Sequence, residues 1–162
     1  MTQEKLDKAL VAAAAAGNAQ KVRALIGKGA KVDAAGEFGY RPLPRAVRKW
    51  HKEVAEVLIA AGANVNAAEP EGWRPLHWAA VEVQKDIVEL LLAHGANPLL
   101  VTEEDRGKPR DYCNDKDIIA LLKKAEREWR KREKRGKPST PLAALRARLR
   151  QLGSLRPKVP SL

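Results

Sequence analysis

Gly72-Trp73-Arg74-Pro75-Leu76-His77-Trp78-Ala79-Ala80 leads into Asp86-Ile87-Val88-Glu89-Leu90-Leu91-Leu92 and closes on Gly95-Ala96-Asn97-Pro98. The same plan stands 33 residues earlier. Arg41-Pro42-Leu43 precedes Val54, Leu58, Gly62, Ala63, Asn64 and Asn66, which align with Ile87, Leu91, Gly95, Ala96, Asn97 and Leu99. A fixed period of this size marks an array of stacked units, each too thin to bury its own apolar face alone.

The residue types agree with helical hairpins. Proline suits a first helical turn, where its missing N–H is not needed and its φ is already set. Ala79 and Ala80 let two helices approach closely. Ile87, Val88, Leu91 and Leu92 fall at helical spacing and form one apolar face. Gly62 and Gly95 provide left-handed helix ends, and the asparagines after them suit a turn.

Outward from these copies the pattern weakens. The first unit has no Pro-Leu start but keeps Leu10, Ala13, Ala14, Gly17 and Asn18, then Val22, Leu25, Ile26, Gly29, Ala30 and Asp33. The last reads Lys108-Pro109-Arg110-Asp111-Tyr112-Cys113 and then Asp117 to Leu122, with a lead-in one residue longer and a shortened first helix. Atypical end units are expected where a stack faces water.

These motifs resemble the ankyrin repeat over roughly residues 6–125, most strongly in the two central copies. The resemblance implies an all-α fold: a solenoid of helix-turn-helix units joined by β-hairpin-like loops. About three and a half units are expected in a domain over 1–125, at about 6–35, 36–68, 69–101 and 102–125. Some positions depart from the family pattern. Arg41 and Arg74 stand where a capping hydroxyl is usual, and arginine offers no acceptor to free N–H groups. Pro44 replaces the usual histidine, which is kept as His77. Trp50 and Val83 stand where glycine usually turns the chain between the two helices. Neither tolerates positive φ well, so a different turn geometry is expected there. We read these departures as drift, with contact of Arg41 and Trp50 to a partner as the alternative.

Composition narrows the function. The chain has 162 residues, enough for one domain, with 44% hydrophobic residues dominated by alanine. Its single cysteine, Cys113, excludes an internal disulfide and a multi-cysteine zinc site, and reads as a packed thiol. No apolar run reaches membrane-spanning length, and Glu4 and Asp7 precede Leu10–Ala16 where a signal peptide needs positive charge. An intracellular protein, cytoplasmic or in an organelle matrix, is expected. His51, His77 and His94 have no ligand-spaced partners, so no metal is expected. Serine occurs only at Ser139, Ser154 and Ser161, outside the repeats. Gly136-Lys137-Pro138-Ser139-Thr140 lacks the upstream glycine and strand of a phosphate loop. A non-enzyme without cofactor is the expectation.

The formal net charge is +11, and residues 1–106 contribute nothing to it, with 14 basic and 14 acidic side chains. The excess lies behind the repeats. Ile118, Leu122, Ala125 and Trp129 predict one long helix over Asp117–Arg135, packed as far as Trp129, with residues 126–137 as a projecting basic helix. The basic tail 138–162 begins with the cap-like Ser139-Thr140-Pro141, and Leu142, Leu145, Leu149 and Leu152 predict a short amphipathic helix over 140–152. Candidate polyanion-binding residues are Lys123, Lys124, Arg127, Arg130, Lys131 and Arg132. Lys134, Arg135, Lys137, Arg146, Arg148 and Arg150 complete the set. Three readings compete for this end: a solvated tail, a dock for nucleic acid or another polyanion, and an amphipathic segment for a partner groove or an anionic membrane. The second is favoured, and Trp129 either stacks on a base or seals the last helix.

The resemblance also implies a partner-binding face, made of hairpin tips and the exposed side of each first helix. Carried over by position, this gives Glu37, Phe38 and Tyr40 in one tip and Pro70, Glu71 and Trp73 in the next. Arg48, Lys49, Val81 and Glu82 follow on the helices. Tyr40 and Trp73 share one repeat position and should stand in a row. Trp50 and Trp78 are read as core fillers. The expected function is a non-catalytic adaptor or structural subunit that grips a protein through its concave repeat face. Its basic end would dock on RNA, a ribonucleoprotein or an acidic protein surface. The alternative is an RNA-binding protein that uses the repeats as a platform.

Overall fold

A computed structural model describes residues 1–136. The amphipathic helix expected over 140–152, the tail 138–162, and Lys137, Arg146, Arg148 and Arg150 lie outside the described residues. Seven α-helices form the described part, with no strand among its residues: α1 Gln3–Ala15, α2 Ala19–Gly27, α3 Pro42–Arg48, α4 Lys52–Ala60, α5 Pro75–Val81, α6 Lys85–Ala93 and α7 Lys116–Lys134. The odd-numbered helices α1, α3 and α5 pack side by side in one layer, continued by a short 3-10 turn at Pro109–Tyr112. Behind them run α2, α4 and α6, with α7 against α6.

The period is visible in the core. Leu10, Leu43 and Leu76 are buried at successive 33-residue steps, as are Leu25, Leu58 and Leu91. Small residues at Ala13 and Ala14, Ala46, and Ala79 and Ala80 are also buried, which lets the helices of the first layer approach closely. Cys113 packs into the same core.

Side-chain acceptors tie the loops within the first unit and then join each unit to the next. The Asp7 carboxylate accepts the Lys31 amide at 2.8 Å, Asp33 accepts the Asn64 amide at 2.9 and 3.1 Å, and Asn66 Oδ1 accepts the Asn97 amide at 2.7 Å. Within a loop, Asn64 and Asn97 fold back on the amides two residues on, at 2.9 Å each. Gln84 Nε2 donates to the Val47 carbonyl at 2.8 Å, and His51 Nε2 lies 3.1 Å from the Ala15 carbonyl. Both reach back to the end of the preceding unit's first helix.

The loops before α3 and α5 end in tight turns at Glu37–Gly39 and Pro70–Gly72. The shortest of the backbone bonds that close them run from the Gly36 amide to the Tyr40 carbonyl and from the Glu69 amide to the Trp73 carbonyl, at 2.7 Å each. In each turn two consecutive residues have positive φ: Phe38 at 58° with Gly39 at 77°, and Glu71 at 64° with Gly72 at 77°. That is the twist of a two-residue hairpin turn. Gly72 is also required sterically, because a Cβ there would sit 2.9 Å from the Glu103 amide of the next loop. The third loop closes from Thr102 to Gly107, one residue longer than the others.

Two expectations are overturned. The turns between paired helices keep the left-handed geometry despite the missing glycines: φ is 73° at Gly17, 64° at Trp50 and 55° at Val83. Backbone bonds from Trp50 to Val47 and from Val83 to Ala80 impose it, so stacking overrides local preference. Trp50 is not a core filler either. It is 60% exposed, with its indole N–H donating to Glu82 at 3.1 Å.

The arginines before proline have a shared role. Neither caps its helix. Arg41 donates through its guanidinium to the Asp33 carbonyl and, at 3.0 Å, to the Ala68 carbonyl. Arg74 donates to the Gly72 and Val101 carbonyls at 2.8 and 3.0 Å. Each fastens a hairpin loop to its neighbour.

Candidate protein-binding groove

Beneath the tip at Glu37–Gly39 the side of α1 that carries Val11, Ala12 and Ala15 is open to solvent. An open groove of about 620 Å³ results. Val11, Ala12 and Ala15 make its floor, and Phe38, Tyr40 and Arg45 its far wall. Phe38 is 82% exposed, held at the tip with its ring edge-on to Tyr40 at 6.5 Å. Glu37 at the rim lies 3.8 Å from Lys8, which also pairs with Glu4 at 2.8 Å.

Beyond Tyr40 the wall continues as a ladder of cations and rings. The Arg45 guanidinium lies 3.9 Å over the Tyr40 ring, and that of Arg48 lies 4.4 Å over Trp78. Trp78 stacks on Trp73 at 4.3 Å, and Trp73 meets Tyr112 at 4.8 Å. Glu69 is buried behind the ladder and accepts the Arg41 amide at 3.2 Å and the Trp78 indole N–H at 3.1 Å. Burial pushes its carboxyl pKa up, against the pull of these bonds and of Arg45 and Arg48.

At the far end of the ladder His77 is fully buried. Its Nδ1 accepts the Arg74 amide at 3.3 Å, and its Nε2 donates to the Gly107 carbonyl at 3.3 Å. Burial lowers its pKa to about 4 and keeps the ring neutral. Asp105 accepts from the Thr102 and Tyr112 hydroxyls and from the Gly107 amide, which hold its pKa down at about 2. This network fixes the third loop.

The residues expected to bind are thus divided. Glu37, Phe38 and Tyr40 border the groove. Arg48 lies in the ladder, as does Trp73, half-buried between Trp78 and Tyr112. Tyr40 and Trp73 share a repeat position, but only Tyr40 borders the groove. Glu71 stands with Glu103 and Glu104 around an acidic hollow between two tips. Lys49, Val81 and Glu82 sit at the ends of α3 and α5, beside the Trp50 turn, and do not line the groove. Sequence reasoning missed Lys8, Val11, Ala12, Ala15 and Arg45. The signal was present: Ala12, Arg45 and Trp78 hold one repeat position, and Ala15, Arg48 and Val81 another.

A second surface lies on α7. Lys123, Arg127, Arg130 and Lys134 recur at three- and four-residue spacing, with Lys124, Lys131 and Arg135 beside them, all exposed. Ile118, Leu122, Glu126 and Trp129 occupy the opposite, buried face. Arg132 lies off the basic stripe, beside a small cleft with Leu92 and Pro98. The buried Glu126 anchors the helix through Arg110 at 3.2 Å, with Arg130 at 3.9 Å. Trp129 is 6% exposed and donates to Glu133 at 3.2 Å, so it seals the helix and is not available to stack on a base.

Among the described residues no three His, Cys, Asp or Glu side chains cluster as metal ligands, and no helix is long and apolar enough to cross a membrane. A family model described as ankyrin repeats, in 3 copies, matches residues 10–102. Comparison with curated proteins found no match.

Proposed function

The chain belongs to the ankyrin repeat family, and from that premise we propose that it is a non-catalytic adaptor or structural subunit that grips a partner protein in the groove between α1 and the first hairpin tip. Ankyrin repeats generally mediate protein–protein interaction. The observation that carries the reading is Phe38. Its large apolar side chain is 82% exposed at positive φ, edge-on to Tyr40 alone among the rings, beside an open apolar floor. It has the form of an anchor for a partner. The basic stripe of α7 is the second element of the proposal, a dock for a polyanionic surface that holds the assembly in place. Its regular array of exposed cations opposite a packed face supports that role.

Two sets of variants separate the elements. Phe38→Ala with Tyr40→Ala should abolish co-purification of the protein partner from the native source while leaving retention on RNA or heparin unchanged. Lys123→Glu with Arg127→Glu and Lys134→Glu should do the reverse. If the groove variant keeps every partner and the helix variant loses all of them, the groove reading fails. The chain is then an RNA- or ribonucleoprotein-binding protein with the repeats as a platform.

A further inference from the structure

Arg45 and Arg48 lie three residues apart on α3, each with its guanidinium carbon over a ring, at 3.9 Å over Tyr40 and 4.4 Å over Trp78. Neither belongs to an ion pair within 4.0 Å among the described residues. Arg45 Nε is buried with no hydrogen-bond partner among the described residues. Unsatisfied donors of this kind are uncommon in folded proteins, and a charged one is costly to leave. Contact with the rings holds both guanidinium groups in place in advance, which lowers the side-chain entropy to be lost on binding. The near carboxylates are already engaged, Glu69 by the Arg41 amide and the Trp78 indole, and Glu37, which lines the groove with Arg45, by Lys8. Lys8, at the opposite rim, is already satisfied by Glu4 and Glu37. The positive charge seeking an acceptor is therefore concentrated on α3, next to an apolar floor of Val11, Ala12 and Ala15.

We propose that the groove recognises an acidic polypeptide segment, with side-chain carboxylates placed on Arg45 and Arg48 and a neighbouring large apolar side chain seated between Val11 and Phe38. This rests on the groove reading above and adds the chemistry of the partner. Carboxylates suit the site because a stacked guanidinium still presents its edge N–H groups for paired hydrogen bonds. An apolar neighbour suits it because the floor and the exposed Phe38 offer no polar group to a second charge.

The test is selection of a random 12-residue peptide display library on the full chain, with the winning peptides synthesised and measured by fluorescence anisotropy. Enriched peptides should share acidic residues beside a leucine- or phenylalanine-sized side chain. Arg45→Gln with Arg48→Gln should weaken them about tenfold or more, as should Phe38→Ala. Charge reversal at Lys123, Arg127 and Lys134 should leave them unchanged. Enriched peptides that need Phe38 but carry no acidic residue, or that ignore the arginine change, overturn the proposal and leave the groove reading standing. Peptides lost only on the α7 changes, or no enrichment, overturn both. RNA retention that falls with the Arg45 and Arg48 changes would assign the arginines to nucleic acid and also overturn the proposal.

Discussion

Replacing Arg74 by threonine restores the residue type usual at this family position and so asks whether the arginine is drift. Threonine would cap α5 and add about 1 kcal/mol. It would also remove the guanidinium bonds to Gly72 and Val101, at 2.8 and 3.0 Å. Hydrogen bonds from a charged donor contribute about 1.5–3 kcal/mol each, and the half-exposed position favours the lower figure, so the loss is about 3 kcal/mol. The net expectation is destabilisation by about 2 kcal/mol, a fall in melting temperature of about 4–8 °C for a domain of this size. Urea unfolding followed by circular dichroism reads it, with an unchanged denaturant slope showing that the folded state has not expanded. Arg74→Lys should fall between, because an ammonium retains the charge but not the fork. Arg41→Thr should behave alike, since Arg41 also fastens two loops. A threonine variant as stable as the parent, or more stable, would refute the loop-fastening role.

Val83→Asn relieves a β-branched residue at φ 55° and should stabilise the chain by about 1 kcal/mol; a drop in the urea midpoint would show that Val83 packing outweighs the strain. Gly17→Ala should destabilise by about 2 kcal/mol, through positive φ and a Cβ placed 2.5 Å from the His51 ring, and His51→Ala should restore only the steric share. Burial holds the folded His77 pKa at about 4, below its usual 6.5, so its contribution is complete above pH 6.5 and is lost as pH falls through about 4. The shift corresponds to about 3 kcal/mol, and His77→Gln should flatten that limb of a stability–pH curve; an unchanged limb would place the acid sensitivity elsewhere.

The stack was legible because its period is written in residues that must be buried. Leu10, Leu43 and Leu76 recur at a fixed interval, and the spacing of Ile118, Leu122 and Trp129 predicted a helix within one residue of the observed α7 at each end. The turn at Trp50 and Val83 was not legible, because backbone bonds such as His51 to Ala46 and Gln84 to Ala79 fix its φ whatever the side chain prefers. The role of Arg41 and Arg74 was hidden for a related reason. Arg41 reaches Ala68 and Arg74 reaches Val101, carbonyls 27 residues further along the chain, and their identity carries no information. At the groove, hairpin positions pointed to Glu37, Phe38 and Tyr40. The α1 floor was missed because Val11, Ala12 and Ala15 become a site only through the packing of α1 against the loop that carries Phe38, and Arg45 because its partner ring belongs to the loop before α3.

Hydrogen–deuterium exchange of the full chain, alone and bound to its co-purified partner, addresses the groove most directly. Protection is expected in residues 8–15 and 36–48, covering α1, the Phe38 tip and α3, with residues 116–136 changing only when a polyanion is present. Protection confined to residues 116–136, or centred on the turns at Trp50 and Val83, would contradict the assignment of the groove as the site where the partner is held.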